Sequence, residues 1–157
     1  MGIFALLINS KGMQGYFLTT KHWKVVMVDD QMYLGRLVIK TIEPRLTLPD
    51  ITEEEQKDFL NLIRKLENFY KEKIGATMFN YSCLMNNAYR DGEIPHVHYH
   101  FRPRYKNPVT VLGHTFTDPN FGEHYISPTL TKDAPITAPQ EVREYIMKGI
   151  QDYFTDH

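Results

Sequence analysis

The sequence predicts an α+β fold in which a β-sheet is combined with two main helices. Short runs rich in β-branched and aromatic residues occupy the first third of the chain. Two later segments follow capping motifs and carry apolar residues at helical spacing, with further strand-like segments between them. A chain of 157 residues can bury one core of its own, so we expect residues 1–157 to form a single domain.

Five segments have the composition of strands. The first three are separated by short turns, which favours an antiparallel meander. The last two are joined by a polar turn at residues 87–93 that contains Asp91 and Gly92. The five predicted strands cover residues 15–20, 22–28, 32–40, 78–86 and 96–102.

Two capping motifs predict where the helices begin. Thr52 with Glu55 forms a capping box, and a run of apolar residues at helical spacing follows it. Thr137 with Gln140 repeats the capping pattern, and apolar residues then recur every four positions. The sequence therefore predicts one central amphipathic helix and a second, C-terminal helix at residues 138–154.

Composition and charge exclude several classes of function. The formal net charge of −1 provides no basic field for a nucleic-acid polymer. Cys83 is the single cysteine, so the chain has no internal disulfide and no cage of several thiolates, which fits a reducing cytoplasm. No apolar stretch approaches the roughly 20 residues that span a bilayer. We expect a cytoplasmic protein that is not attached to a membrane.

The most informative feature is a row of three alternating histidines, His96, His98 and His100. On a strand, alternate side chains share a face, so the three imidazoles lie together while Val97 and Phe101 face the other way. Neutral imidazole is a nucleophile near neutral pH and can hold a phosphoryl group as a phosphoramidate. The neighbouring rings can donate to phosphate oxygens. The row therefore indicates phosphoryl chemistry.

Two other interpretations of the row remain open. A structural or surface row of histidines is one, although each buried ring would need hydrogen-bond partners. A zinc or iron site is the other, because histidines two apart on a strand can chelate a metal. Three rings in a straight row would need a further ligand such as Glu93, His114 or His124. The His-x-His pattern is also found in cupins, but residues 99–104 lack their glutamate.

The segment from His96 to Phe101 resembles the defining motif of the histidine-triad (HIT) family, with Arg102 departing from its last apolar position. Residues 33–39, 80–81, 84–86 and 103–105 resemble the bacterial hydrolase-like branch in order and spacing, so the resemblance covers roughly residues 24–108. It implies an antiparallel sheet flanked by two main helices, pairing into a homodimer, and a nucleotide pocket beside the triad strand.

The resemblance also implies roles for particular residues. His98 would form the covalent nucleotidyl intermediate, and the carbonyl of His96 would orient its ring. The side chains of His96 and His100 would contact phosphate oxygens or the leaving group. Besides these three histidines, the predicted nucleotide-binding residues are Asn86, Asn80 and Asp29. Either Asp29 or Asp30 would accept hydrogen bonds from the ribose hydroxyls.

Two segments set this chain apart from the family pattern. Residues 89–93 look inserted before the triad, and residues 103–136 are rich in Pro, Gly and Thr over a length unusual for a plain connection. The latter predicts a functional loop or an arm that covers a partner.

His100 stands where the uridylyltransferase branch has glutamine, which favours hydrolysis over transfer to a sugar phosphate.

The sequence thus predicts a nucleotide hydrolase or nucleotidyl transferase that acts at an α-phosphate through His98. Dinucleoside polyphosphates and nucleoside phosphoramidates are the expected substrates. No metal or other cofactor is required in this hypothesis, although Mg²⁺ can accompany a polyphosphate. The alternatives are a nucleotide-binding module with little turnover, in which the loop at residues 103–136 contacts a partner, and a metal enzyme with histidine ligands.

Overall fold

The computed structural model describes residues 15–127 and 136–157. Seven strands and three α-helices lie in these ranges. A short 3₁₀ turn at Leu48–Asp50 precedes the first helix, and a π-helical turn at Tyr70–Ile74 extends it. In chain order the elements are β1 (Leu18–Thr19), β2 (Trp23–Met27), β3 (Leu37–Thr41), α1 (Glu53–Phe69), β4 (Met78–Ser82), α2 (Asn86–Asp91), β5 (His98–Arg104), β6 (Val109–Val111), β7 (His114–Phe116) and α3 (Gln140–Asp156).

Five of the strands form one antiparallel sheet in the order β1-β2-β3-β5-β4. The first three follow each other as the predicted meander, and β5 then inserts between β3 and β4. Strands β6 and β7 pair separately as a hairpin. The prediction of an α+β fold with an antiparallel sheet and two main helices is confirmed, and β5 occupies an interior position in that sheet.

One face of the sheet packs against both long helices. The inward side chains of the strands contact Leu62 and Leu66 on α1 and Val142, Ile146 and Ile150 on α3 in a single buried apolar cluster. This burial follows from sequence, because the apolar residues of each helix recur at three- and four-residue spacing and so share one side. The opposite face of the sheet is therefore left for polar side chains.

Helix α1 begins as the sequence predicted. Thr52 accepts a hydrogen bond from the Glu55 amide, and the Glu55 carboxylate accepts one from the Thr52 amide. Arg45 donates to both carboxylate oxygens of Glu55, and the Trp23 indole donates to its carbonyl. Burial opposes ionisation of Glu55, but the bonds from Arg45 and Thr52 outweigh it, so the pKa of this carboxyl lies below its ordinary value.

Several predicted boundaries are wrong. Residues 32–36 form a turn before β3, where Gly35 has a φ of 84° and lies against the Tyr70 ring. Strand β4 ends at Ser82, so Asn86 does not lie on a strand but begins helix α2. The polar turn predicted at residues 87–93 is mostly that helix. His96 lies just before β5, which runs two residues further than predicted.

The segment at residues 103–136 is also not a plain loop. It begins with the last two residues of β5 and contains the β6-β7 hairpin. Residues 128–135 of this segment lie outside the described residues. Helix α3 begins at Gln140 with Pro139 as its N-cap and no side-chain capping bond, so the capping box predicted at Thr137 is wrong. Within residues 15–127 and 136–157, no helix is long and apolar enough to cross a membrane.

Candidate active site

Strand β5 separates two kinds of side chain. Val97 and Phe101 are completely buried in the core beside the helices. His98, His100 and Arg102 alternate with them and lie on the opposite face. The register places Lys40 of β3 across from His98 and Ser82 of β4 across from His100. The predicted alternation therefore brings His98 and His100 together on a polar face, where their ring centroids are 5.2 Å apart.

The His98 ring is held by the backbone of its own strand. Its Nδ1 lies 2.8 Å from the carbonyl oxygen of His96. A carbonyl only accepts, so Nδ1 carries a proton, and in the neutral form of the ring the lone pair is then on Nε2. A neutral imidazole with a free, oriented Nε2 is a competent nucleophile. The carbonyl belongs to the first histidine of the row, two residues earlier in the chain.

The His96 ring itself is tethered. Its Nε2 lies 2.9 Å from the Thr41 carbonyl oxygen and 2.8 Å from the Thr41 hydroxyl, at the end of β3. Burial, with the charge of Lys40, lowers the pKa of His96, which keeps the ring neutral. Nε2 therefore donates to the Thr41 carbonyl. This anchoring fixes the backbone whose carbonyl holds His98.

His100 is a neutral ring between cations. Burial, the nearby Arg102 and Arg36, and His98 together lower its pKa to about 3. An Arg36 guanidinium nitrogen lies 3.4 Å from its Nδ1, a long contact in which Arg36 is the donor. That contact assigns the His100 proton to Nε2. The ring therefore presents a neutral N–H donor beside His98.

Arg36 and Arg102 complete this polar face, and neither was among the predicted site residues. Arg36 pairs with Asp30, which lies six residues earlier in the turn before β3. Arg102 donates to the Ser82 hydroxyl at 3.2 Å, and its guanidinium carbon lies 3.7 Å from the centre of the Tyr125 ring. The signal for Arg102 was in the sequence, because it continues the alternation of the three histidines and replaces an apolar residue of the HIT motif.

The predicted nucleotide-binding residues are spread more widely. Asn86 is exposed at the first turn of α2. Asn80 lies across from Arg102 on β4, and its side-chain oxygen accepts a hydrogen bond from Arg104 at 2.8 Å. Asp29 is half exposed and accepts a hydrogen bond from Arg143 of α3 at 2.9 Å. Asn80 and Asp29 thus already have hydrogen-bond partners within the fold. A ribose or a phosphate that bound to either side chain would share it with that partner.

The Arg104 side chain forms a network of bonds within the fold. Its guanidinium is almost fully buried and pairs with Asp118 at 2.7 Å. It also donates to Asn80 and to the carbonyl oxygens of Asn120 and Glu123. These bonds tie the segment after β7 to the sheet. That segment carries Tyr125, the residue that stacks on Arg102.

Two further observations bear on how the site is recognised. Among the described residues, no group of three His, Cys, Asp or Glu side chains is arranged to hold a metal ion. A cavity of about 1020 Å³ lies between β1, α1 and α3, where Tyr16, Asp58 and Phe154 are part of its lining, and it contains none of the three histidines. The histidine row is therefore a candidate active site because of the chemistry of its side chains, and not because it lines this cavity.

Several solved structures have the same architecture as this chain. A histidine triad protein from Marinobacter aquaeolei VT8 matches with a TM-score of 0.64 and 16% identity, over 92% of this chain and 90% of that chain. A histidine triad protein from Sinorhizobium meliloti 1021 matches with a TM-score of 0.66 and 14% identity, over 97% and 99% of the two chains. This chain has the histidine-triad fold. The resemblance noted from the sequence is thereby confirmed at the level of the fold.

The histidine-triad fold is also shared with an archaeal protein. A hypothetical histidine triad nucleotide-binding protein from Sulfolobus tokodaii matches with a TM-score of 0.61 and 12% identity, over 90% of this chain and 83% of that chain. No family model and no curated protein sequence matches this chain. At these identities the likeness is one of fold, so the chemistry must be argued from the side chains of this chain.

Proposed function

We propose that this histidine-triad protein is a nucleotide hydrolase or nucleotidyl transferase that acts at an α-phosphate through His98. The observation that carries the proposal is the 2.8 Å contact between Nδ1 of His98 and the His96 carbonyl, which leaves Nε2 free and aimed. The neutral His100 lies beside His98, and the guanidinium groups of Arg36 and Arg102 lie near His100. Such donors and charges suit the phosphate oxygens of a transition state.

The proposed reaction has two displacements. The Nε2 lone pair of His98 attacks phosphorus, an N–P bond forms, and the bond from phosphorus to the leaving group breaks with its electron pair on that group. A water oxygen then attacks the same phosphorus, the N–P bond breaks, and the lone pair returns to Nε2 while the proton of the water passes to solvent. Splitting one displacement into two lowers each barrier.

The resemblance of the triad supports water as the second nucleophile, because His100 stands where the uridylyltransferase branch has glutamine. Water would release a nucleoside monophosphate. The proposal includes no obligatory metal and allows Mg²⁺ to accompany a polyphosphate substrate. The nucleotide-binding description of the Sulfolobus tokodaii protein supports a nucleotide as ligand.

We also propose the homodimer that the resemblance implies. Light scattering during size-exclusion chromatography tests it directly, because one chain has a mass of 18.5 kDa. A mass near twice that value at micromolar concentration supports the dimer. A single-chain mass across the accessible concentration range contradicts it.

The decisive experiment compares the wild type with His98→Ala on diadenosine polyphosphates and on adenosine 5′-phosphoramidate, with and without EDTA. We expect His98→Ala to lose at least about 10³-fold in kcat while still binding nucleotide, because only the nucleophile is removed. His114→Ala, an exposed histidine on β7, is the matched control and should retain activity.

Four further outcomes sharpen the test. Mass spectrometry of an acid-labile nucleotidyl adduct on the wild type, absent in His98→Ala, supports the covalent step. The rate should fall at acid pH, because an imidazolium has no free lone pair. Binding without turnover by the wild type would favour the low-turnover binding module. Loss of phosphoramidate turnover in EDTA, with restoration by zinc or iron, would favour the metal enzyme.

A further inference from the structure

Arg36 and Arg102 are arranged in a way that the chemistry of His98 alone does not require. Arg102 is 3% exposed, and its Nε has no hydrogen-bond partner. The Nε of Arg36 is likewise buried without a partner, and the side chain of Arg36 is 13% exposed. Unsatisfied donors on buried cations are costly, since each has lost its water without a replacement. Two such donors, on guanidinium groups that both lie near His100, suggest that a ligand completes the cluster.

The charges in the cluster do not balance. Within the described part of the chain, Asp30 is the carboxylate that pairs with these two arginines, and it pairs with Arg36. Burial and the like charge of the nearby Arg36 lower the pKa of Arg102 to about 10. Arg102 makes no ion pair with any described residue. The cluster therefore carries a positive charge for which the described residues offer no counter-ion.

The shape of the cluster leaves its donors available. The Arg102 guanidinium carbon lies over the Tyr125 ring, 3.7 Å from its centre, in a cation–π contact. This contact holds Arg102 without supplying a hydrogen-bond acceptor to its N–H groups. Its one hydrogen bond to a described side chain goes to the Ser82 hydroxyl. A planar fork held in this way matches the oxygens of a phosphate group.

We propose that Arg36 and Arg102 form a subsite for a second anionic group of the substrate, so that the substrate is a nucleoside or dinucleoside polyphosphate. This inference rests on the proposed function and narrows its substrate class. Same-face residues on a strand are about 6.6 Å apart, so Arg102 lies one step beyond His100 and two beyond His98. A phosphate next to the one attacked by His98 extends along that row toward the arginines.

The protonation of the histidines agrees with an anionic leaving group. A polyphosphate departs as an anion and needs no proton, whereas the nitrogen of a phosphoramidate must be protonated to leave as an amine. His100 and His96 are both held neutral, because burial and nearby cations lower the pKa of each. Two fixed guanidinium groups can instead stabilise the charge that develops on a phosphate leaving group.

The test compares Arg102→Met with the wild type on two substrates that differ in their leaving group, diadenosine tetraphosphate and adenosine 5′-phosphoramidate. We expect kcat/KM for the tetraphosphate to fall about 10- to 100-fold more than kcat/KM for the phosphoramidate, as is typical when a charge-assisted contact is lost. Arg64→Met, which removes an exposed arginine from α1, is the matched control and should change neither value. Equal losses on the two substrates would overturn the subsite.

A binding measurement separates this proposal from the proposed function. Calorimetric titration with inorganic tripolyphosphate needs no turnover, so it remains informative if the wild type hydrolyses neither substrate. We expect tripolyphosphate to bind at least about tenfold more weakly to Arg102→Met than to the wild type or to Arg64→Met. Equal binding by all three proteins would overturn the subsite. The thermal midpoint of ligand-free Arg102→Met should not fall below that of the wild type, because an uncompensated buried charge is removed.

Discussion

The two faces of strand β5 are built from neighbouring residues and follow opposite rules. On the helix side, Phe101 contacts the rings of Tyr70, Phe79 and Tyr81 at centroid distances of 5.4, 5.3 and 5.5 Å, and the strand gains stability from burial. On the other side, His100 lies beside cations, and burial lowers its pKa to about 3. One face stabilises the fold, and the other holds groups whose confinement costs free energy.

The difference shows how the fold holds reactive side chains in fixed positions. Alternation along a strand allows each histidine to be flanked by core residues only one position away. The positions of His98 and His100 are therefore set by the packing of Val97, Tyr99 and Phe101, and not by contacts on their own face alone. If this division holds, substitutions on the two faces should have distinguishable effects on stability and chemistry.

The largest expected effect on stability is at Phe101. Phe101→Ala removes a completely buried ring from a cluster of four aromatic side chains, and we expect the free energy of unfolding to fall by about 3–5 kcal/mol. Urea denaturation followed by circular dichroism measures this change. Tyr89→Ala on α2 is the control, because that ring is 69% exposed and should change stability by less than about 0.5 kcal/mol. Similar losses for the two variants would show that the helix side of β5 is not the stabilising face.

Much of this division follows from sequence alone. The alternation of His96, His98 and His100 with apolar residues predicts that the three rings share a face. The structure places His98 and His100 together opposite Val97 and Phe101, whereas the His96 ring lies before β5 and contacts Thr41. The Thr52 capping box likewise marks the beginning of α1, since reciprocal backbone bonds are local. Both features depend on residues close together in the chain.

Features set by distant contacts were not predictable in the same way. Arg36 comes beside His100 because β3 pairs with β5, 64 residues further along the chain. Met85 adopts a left-handed backbone conformation that ends the extended stretch, so Asn86 enters a helix although its neighbours have strand composition. Local propensity does not indicate such a reversal, and tertiary contacts override it.

A smaller effect, dependent on pH, should arise on the polar face. His100 has a pKa of about 3 in the fold against an ordinary value of 6.5, so the unfolded chain binds a proton in this range that the folded chain does not. This group does not lower the free energy of unfolding above about pH 6.5, and between that pH and about pH 3 the free energy of unfolding falls by roughly 1.4 kcal/mol for each pH unit. Between about pH 7 and pH 4.5, the wild type should lose about 2–3 kcal/mol more than His100→Asn does.

Denaturation at both pH values measures this difference. His114→Asn is the control, because that ring is exposed on β7 and its replacement should leave the wild-type loss in place. The comparison depends on the change between two pH values within one protein, so any general destabilisation by the substitution cancels. Identical acid losses in the wild type and His100→Asn would contradict the burial of a neutral ring between Arg36 and Arg102.

The smallest expected effect lies where the two faces are connected. The Tyr70 hydroxyl, in the π-helical turn after α1, donates to the Gly35 carbonyl at 2.7 Å and so ties the core to the turn that carries Arg36, the partner of Asp30. Tyr70→Phe keeps the ring but leaves a buried carbonyl without this donor, and we expect the free energy of unfolding to fall by about 1–2 kcal/mol. Tyr145→Phe, at a half-exposed position on α3, should change it by less than about 0.5 kcal/mol. Because the turn positions Arg36, Tyr70→Phe should also weaken tripolyphosphate binding, and a stability loss with binding unchanged would show that the polar face is positioned independently of the core.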